Sequence, residues 1–282
     1  MAGKMRVEEL MTKDPVVVAL PGSRTEVLRL LVTRKLTGVP VVKGDGTYAG
    51  FVARKHIFDN PEAEQLALLM RKDYPSVQPN ASVEDVAHMM VEKGLHHLPV
   101  CKDSKVVGIV TPADLLPVVE RLRRDTPVEE LLNSTCVPVY EGTPVQVANE
   151  IMRVARVFAL PVLDDRGRLT GIITDRDIFD LSRINGTAVI QELGLADEEN
   201  PWMWEGLRNV MRLYYEERKV ELPRIAVEEV MVRDVVTASS KTGVSEAARI
   251  MHRNDFGQLP VKDPRDRLLG LLTELNVIRV LL

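Results

Sequence analysis

The sequence has few of the residues that mark disulfide-linked, metal-binding or membrane-spanning proteins. It contains two cysteines, Cys101 and Cys136, which form neither a CxxC pair nor a disulfide framework. Both lie in apolar, strand-like contexts, so we interpret them as small buried hydrophobic residues and expect no metal or redox site. No run approaches the roughly 18 apolar residues that a membrane span needs, and the N-terminus lacks the apolar stretch of a signal peptide. We therefore expect a cytoplasmic protein.

The chain is also poor in aromatic residues and in net charge. Aromatics make up 4% of its 282 residues, so the core is expected to consist of aliphatic side chains and methionine. The 37 basic and 41 acidic residues give a net charge of -4, which offers no electrostatic reason to propose nucleic acid as a partner. Hydrophobic residues make up 45% and charged residues 28%, a balance typical of a packed globular protein.

Four copies of one pattern account for most of the chain. Each copy has an opening segment such as "VEELM", then a Pro-Val pair, then a glycine. The Pro-Val pairs are Pro40-Val41, Pro99-Val100, Pro161-Val162 and Pro260-Val261, and the glycines are Gly50, Gly108, Gly171 and Gly270. The proline and the glycine are 10, 9, 10 and 10 residues apart, and four matches in the same order make chance a poor explanation.

Each repeat is predicted to run strand, helix, strand, strand, helix. The first helices begin after polar capping residues, at Ser23, Ser82 and Thr143-Pro144, and their apolar residues fall three or four apart. Turns that contain Asp and Gly then join two short apolar strands. A unit of roughly 55 residues is small for independent stability, so the repeats are expected to pair through their sheet faces.

The spacing of the repeats predicts five segments along the chain. We place the repeats at residues 1–60, 61–126, 127–182 and 226–282, with an insertion at residues 183–225. The insertion is predicted to form two helices split by Asn200-Pro201, and it holds both tryptophans, Trp202 and Trp204. It either packs over one edge of the protein or forms a surface on which a partner docks, and the sequence leaves both open.

Two of the repeats end their last strand in a hydroxyl and a carboxylate three residues apart. These are Thr111 with Asp114 and Thr174 with Asp177, in the stretches "GIVTPAD" and "GIITDRD". On the residues alone, the threonine caps the following helix and the aspartate is its capping-box partner. The alternative is that the two groups hold a ligand beside the free N–H groups of the helix N-terminus.

The repeat resembles the CBS (cystathionine β-synthase) domain. The resemblance rests on an apolar-Pro-Val strand and a later Gly-apolar-apolar-Thr-x-x-Asp, seen here as "LPV" followed by "GIVTPAD" or "GIITDRD". CBS domains occur in tandem pairs called Bateman modules. A chain with four of them is similar to the γ subunit of AMP-activated protein kinase and to stand-alone archaeal CBS proteins. The resemblance implies an α/β (α+β) protein of four βαββα repeats in two Bateman modules, in a disc-like assembly within the chain or through a homodimer.

The resemblance also implies a function. It predicts a non-catalytic regulatory protein that binds an adenosyl ligand and acts on an unidentified partner protein. The ligand is AMP, ADP or ATP, or alternatively S-adenosylmethionine. The sequence carries no GxSxG, P-loop, GxGxxG or HExxH motif, so no enzyme activity and no catalytic cofactor are expected. A structural scaffold whose ligand sites have decayed is the other alternative.

By the same resemblance, the carboxylate after the last strand binds a ribose, because its two oxygens can accept hydrogen bonds from both sugar hydroxyls. In the third repeat this role falls on Asp177, with Thr174 bonding the sugar or phosphate and Arg176 adding positive charge for phosphate. In the second repeat it falls on Asp114 with Thr111. These two repeats are expected to have competent clefts.

The other two repeats depart from the motif. The fourth has Thr273 but carries Asn276 in place of the acid, so it keeps a hydrogen-bonding group and loses the charge. The first has Ala53 and His56 at the two positions, so a ribose clamp there is doubtful. We therefore expect one ambiguous cleft and one that is empty or contributes only to phosphate binding.

The residues just before each Pro-Val pair are also implied to face the ligand. Basic residues there reach phosphates in the kinase γ subunit, and the second repeat has His96 and His97. Neighbouring strand residues point to opposite faces, so at most one histidine is expected to face a given cleft, as a phosphate contact or as a structural residue. In the third repeat, Phe158 with Val137 either lines an adenine pocket or belongs to the core.

Overall fold

The computed structural model describes residues 5–34, 36–59, 63–178, 181 and 223–282. The chain divides into two compact units. The first comprises Met1–Arg123 and Glu274–Leu282, and the second comprises Arg124–Thr273. Most of the predicted helical insertion at 183–225 falls outside the described residues. Within the described ranges, every helix is too short or too polar to cross a membrane.

Short helices and strands alternate along the chain. In the described ranges, the helices are α1 (Arg24–Thr33), α2 (Arg54–Asp59), α3 (Leu66–Leu69), α4 (Val83–Lys93), α5 (Pro112–Arg121), α6 (Val145–Ala155), α7 (Val244–Asn254) and α8 (Glu274–Ile278). The strands are β1 (Thr12–Lys13), β2 (Val18–Ala19), β3 (Gly38–Val42), β4 (Tyr48–Ala53), β5 (Leu98–Lys102), β6 (Lys105–Val110), β7 (Val139–Tyr140), β8 (Ala159–Leu163), β9 (Leu169–Thr174), β10 (Ala238–Ser239), β11 (Gln258–Lys262) and β12 (Leu268–Thr273). Single 3-10 turns lie at Val7–Glu9, Val128–Leu131, Val227–Glu229 and Arg279–Leu281, and residues 175–178 are helical.

Each repeat builds one three-stranded sheet around a β-hairpin. In repeats 1, 3 and 4 the orders are β2-β3-β4, β7-β8-β9 and β10-β11-β12, with the first pair parallel and the second antiparallel. In the second repeat the order is β1-β6-β5, because Thr12–Lys13 pairs with β6 while only Val77 bridges to β5. Every hairpin has a register shift next to the valine of its Pro-Val pair, so the four repeats share one backbone geometry.

The segment that opens each repeat packs on the other repeat of its pair. Four hydrogen bonds of one kind make this link: Arg24 N to Glu64 O (2.9 Å), Val83 N to Met5 O (3.2 Å), Val145 N to Ile225 O (3.0 Å) and Val244 N to Thr126 O (2.9 Å). Each donor is the first N–H of α1, α4, α6 or α7, a group with no acceptor inside its own helix. The next residues continue the link in the second pair, where Val128 N donates to Thr242 O (2.9 Å) and Val227 N donates to Thr143 O (2.8 Å). This exchange of opening segments ties repeat 1 to repeat 2 and repeat 3 to repeat 4, which confirms the predicted pairs.

The exchange explains the glycine that follows each Pro-Val pair. Gly171 stands directly across the hairpin from Val162, and the exchanged segment crosses over it. A Cβ atom at Gly171 would collide with the side chain of Met231, and one at Gly50 would collide with the carbonyl oxygen of Arg71. The repeated glycine therefore permits a close contact between two repeats.

Two predicted helix caps are confirmed and a third is shifted. The Ser23 hydroxyl accepts the N–H of Glu26 over 3.3 Å at the start of α1. The Ser82 hydroxyl accepts a backbone N–H over 3.1 Å at the start of α4, as predicted. Helix α6 begins at Val145, so Pro144 is its N-cap and Thr143 lies one residue further out. In α6 the N–H of Val147, which a side-chain cap would bond, donates to the carbonyl of Pro144 over 2.9 Å.

The core is mainly aliphatic, as the low aromatic content predicts, and Phe51 is a fully buried aromatic exception. In the second unit, one buried cluster joins Val145 of α6, Leu160 of β8 and Ile173 of β9. In the first unit, α8 packs against α4 and α5, and Val277 and Ile278 are fully buried there.

Candidate functional site

The candidate ligand contacts of the second repeat lie where β6 passes into α5. The backbone N–H and the hydroxyl of Thr111 both donate to Oδ2 of Asp114, over 2.7 and 2.8 Å. Pro112 is the first residue of α5, and Thr111 before it has an extended backbone that aims its N–H at the carboxylate. The turn is therefore a capping box, and both side chains are half-buried.

The third repeat has the same geometry at the end of β9. The N–H and the hydroxyl of Thr174 donate to Oδ2 of Asp177, over 2.8 and 2.7 Å, and Asp177 N donates back to the hydroxyl over 3.3 Å. The hydroxyl proton is committed to the carboxylate, so toward a ligand Thr174 can only accept. In both repeats these bonds use Oδ2, which leaves the lone pairs of Oδ1 for a ligand. Capping and ligand binding are thus compatible roles of one carboxylate.

Burial makes the first of these carboxylates short of hydrogen-bond donors. It raises the pKa of Asp114 above its ordinary value, and the two hydrogen bonds from Thr111 offset part of that rise. A ligand that donates hydroxyl hydrogens to Oδ1 would replace lost water contacts and stabilise the charged form.

The first and fourth repeats depart from this geometry, as their sequences do. Nδ1 of His56 accepts the N–H of Ala53 over 3.2 Å, so an imidazole occupies the capping place of the carboxylate. The bond assigns the proton of a neutral His56 to Nε2, so this ring carries an N–H donor where the second and third repeats have a carboxylate acceptor. In the fourth repeat Asn276 is only 3% exposed, and Thr273 is half-buried at the end of β12.

The two histidines of the second repeat precede β5 rather than lying in it. Nε2 of His97 is 2.7 Å from the hydroxyl of Thr37, and its ring packs on Phe51 with centroids 5.2 Å apart. The hydroxyl of Tyr74 donates to the carbonyl of His97 over 3.0 Å. The ring of Tyr74 stacks on the ring of Phe51, with centroids 4.6 Å apart. These contacts hold His97 between two repeats, which leaves His96 as the candidate phosphate contact.

Burial disfavours the charged form of both histidines. Burial lowers the pKa of His97 to about 3, with smaller contributions from the charges of His96 and His56. Burial also lowers the pKa of His96. A phosphate beside His96 would favour the charged form again, and in either form the ring offers an N–H donor.

The remaining candidate ligand contacts of the third repeat are Phe158, Val137 and Arg176, and they differ in how exposed they are. Phe158 is 44% exposed, and its carbonyl accepts the N–H of Asp175 over 3.0 Å, which places it beside the Thr174–Asp177 turn. Val137 packs against the core cluster of the second unit, whereas Arg176 is exposed. Across the described residues, His, Cys, Asp and Glu side chains form no group of three or more that could hold a metal ion.

The family model of the CBS domain matches residues 7–62, 64–121, 128–183 and 227–282. The chain belongs to the CBS domain family. Because the structure joins the four CBS domains in two pairs, the protein carries two Bateman modules.

Two archaeal proteins share this architecture over their full length. Protein MJ1225 from Methanocaldococcus jannaschii is 25% identical over 272 residues, which cover 76% of this chain and 97% of MJ1225. Its crystal structure, that of a protein proposed as an archaeal homologue of g-AMPK, superposes with a TM-score of 0.76 at 22% identity and covers 99% of this chain and 100% of that one. An uncharacterized conserved protein from Pyrococcus horikoshii superposes with a TM-score of 0.68 at 26% identity, with 99% and 100% covered.

Relatives named as enzymes match only a part of their own length. Inosine-5'-monophosphate dehydrogenase from Thermoplasma acidophilum is 32% identical over 108 residues, which are 38% of this chain and 21% of the enzyme. A stretch of that size corresponds to a pair of CBS domains, so the catalytic activity of that enzyme does not transfer to this chain.

Proposed function

We propose that this CBS protein is a non-catalytic sensor that binds an adenine nucleotide (AMP, ADP or ATP) at Asp114 and at Asp177 and thereby regulates a partner protein. The observation that carries the proposal is the geometry of the two carboxylates. In each, a threonine holds one oxygen and the other oxygen remains available at the end of a strand. Four CBS domains with two intact Thr-x-x-Asp turns support a regulatory ligand-binding role.

A ribose is the ligand group that these carboxylates fit best. Its two adjacent hydroxyls donate to Oδ1, and such charge-assisted bonds are stronger than neutral ones. The capping bonds from the threonine fix the carboxylate, so little side-chain entropy is lost when the ligand binds. Toward the phosphates, His96 supplies an N–H donor in the second repeat, and the exposed Arg176 supplies a positive charge in the third.

The proposal predicts two nucleotide sites per chain. The first repeat presents an imidazole in the place of the acid, and the buried Asn276 of the fourth repeat carries no charge. The clefts of the first and fourth repeats therefore resemble ligand sites that have decayed, whereas those of the second and third repeats keep the Thr-x-x-Asp turn. S-adenosylmethionine is the alternative ligand, since it carries the same adenosine with a sulfonium group in place of the phosphates.

A thermal-unfolding panel tests the ligand class. AMP, ADP, ATP and S-adenosylmethionine are compared with guanosine monophosphate and with the 2′-deoxy and 3′-deoxy forms of AMP. A nucleotide at 100 times its dissociation constant should add about 2.7 kcal/mol to the stability, and each deoxy analogue should add less because one donor to Oδ1 is gone. If the deoxy analogues shift the unfolding temperature as much as AMP does, the carboxylates do not bind the ribose. If no adenosyl compound shifts it, the protein is better described as a scaffold without ligand sites.

A further inference from the structure

The nucleotide sites proposed for the second and third repeats differ in one neighbouring residue, three places before the proline of the Pro-Val pair. In the third repeat this residue is Phe158, whose carbonyl accepts the N–H of Asp175 over 3.0 Å. It therefore lies beside the turn that carries Asp177. In the second repeat the same position holds His96. A ring that cannot change its charge in one site thus corresponds to a ring that can in the other.

The strand pairing places His96 beside the equivalent turn of its own repeat. The β5–β6 hairpin pairs Leu98 with Val110. The same register, continued by two residues, brings His96 opposite Pro112, the first residue of α5. Asp114 follows in the first turn of that helix, so the imidazole and the carboxylate belong to the same end of the hairpin.

The surroundings of His96 disfavour its charged form when no ligand is bound. Burial lowers the pKa of His96 below its ordinary value of 6.5, so the neutral ring predominates at pH 7. The titratable groups around it include the next residue, His97, whose pKa is lowered in part by the charges of His96 and His56. They also include Tyr74, whose hydroxyl donates to the carbonyl of His97. The acidic group of the site is the carboxylate of Asp114.

The phosphate of a nucleotide would reverse this balance at His96. A phosphate monoester such as AMP carries nearly two negative charges at pH 7, because its second pKa is about 6. An opposite charge within hydrogen-bond distance favours the imidazolium and strengthens the bond that the ring donates. The imidazole can gain this charge because histidine titrates close to neutral pH.

The third repeat supplies its positive charge in another way. The exposed Arg176 carries a permanent charge, and Phe158 does not titrate. We propose that binding of a nucleotide in the second repeat takes up a proton at His96, whereas binding in the third repeat takes up none. This coupling rests on the proposed function, and it makes one of the two sites sensitive to pH.

Calorimetric titration with AMP at pH 7, in buffers of different ionisation enthalpy, counts the protons that accompany binding. Asp177→Ala leaves the site of the second repeat, and Asp114→Ala leaves the site of the third. We expect Asp177→Ala to take up about half a proton per AMP, since its free His96 is mostly neutral, and Asp114→Ala to take up close to none. His96→Gln, added to Asp177→Ala, keeps an N–H donor and should abolish the uptake.

Two controls separate His96 from other sources of protons. His88→Gln removes an exposed histidine of α4 and should leave the uptake unchanged. Adenosine has the ribose without the phosphate, so its binding reports any proton that Asp114 exchanges and should show no uptake.

The outcomes distinguish the proton coupling from the site itself. If Asp177→Ala binds AMP without uptake, or if the uptake survives His96→Gln or is equal in Asp114→Ala, the coupling at His96 is wrong while the proposed function stands. If Asp177→Ala binds no AMP, the proposed site at Asp114 is wrong, and the coupling falls with it.

Discussion

Asp114 and Asp177 each use one carboxylate oxygen to cap a helix and keep the other at the end of a strand. This division could be predicted only in part from the sequence. The spacing Thr-x-x-Asp places both groups in one turn, because residues three apart meet at a helix start. Only the structure shows that one carboxylate can cap the helix and also bind a ligand, because both hydrogen bonds from the threonine go to Oδ2 and leave Oδ1 for the ligand.

Asp177→Asn should separate the two roles. The amide oxygen can still accept from Thr174, so the free energy of unfolding without ligand should stay within about 1 kcal/mol of the unmodified value. The loss of charge weakens the ribose bonds, and nucleotide affinity at that cleft should fall about tenfold. Urea unfolding and calorimetric titration measure the two effects, with Asp175→Asn as the control on the same turn. Weaker stability with unchanged affinity would make Asp177 a capping residue alone.

His97 should make the stability depend on pH. Its pKa is about 3 in the folded protein against an ordinary value of 6.5, so the unfolded chain binds a proton first as the pH falls. Stability is therefore lost between about pH 6.5 and pH 3, by about 1.4 kcal/mol per pH unit. From about pH 7.5 to pH 5, the unmodified protein should lose about 2 kcal/mol more than His97→Gln. Chemical denaturation at both pH values measures the difference, and parallel curves would contradict the assignment.

At the scale of elements, the sequence predicts the order of strands and helices but not the exchange between repeats. Each opening segment precedes its own repeat, whereas hydrogen bonds such as Val145 N to Ile225 O join residues 80 positions apart. One signal was present in the repeated glycine, because glycine inside a strand often marks a close approach of another backbone. Likewise, aromatic residues are few in this chain, and Tyr74 of the second repeat stacks on Phe51 of the first.

Gly50→Ala should disrupt the exchange in the first pair. The new methyl group would collide with the carbonyl oxygen of Arg71, and φ of +151° at this position strains any L side chain. We expect the free energy of unfolding to fall by about 2 kcal/mol or more. Gly44→Ala is the control, because nothing lies within 4 Å of the added Cβ there. Thermal unfolding of both variants checks the prediction, and equal stability would mean that the segment does not need this glycine.

At the scale of the whole molecule, the C-terminal residues belong to the first unit although the repeat they close lies in the second. Val277 and Ile278 of α8 are fully buried there, and α8 packs against α4 and α5. The sequence predicts a closing helix for the fourth repeat, but periodicity alone cannot show which helices it packs on.

Ile278→Ala should therefore destabilise the first unit. Removing a fully buried isoleucine side chain costs about 2 to 5 kcal/mol, and hydrogen exchange should rise in α4 and α5 before it rises in β8 and β9. Leu282→Ala is the control, because Leu282 is 59% exposed. Faster exchange confined to the second unit would contradict the placement of α8.

The central claim is that two carboxylates per chain hold the ribose of an adenine nucleotide. Calorimetric titration of the purified chain with AMP or ATP tests this claim most directly, because it counts the bound molecules. We predict two sites per chain, one remaining in Asp114→Ala or Asp177→Ala, and none in the double variant. A double variant that still binds two nucleotides with unchanged affinity would contradict the account.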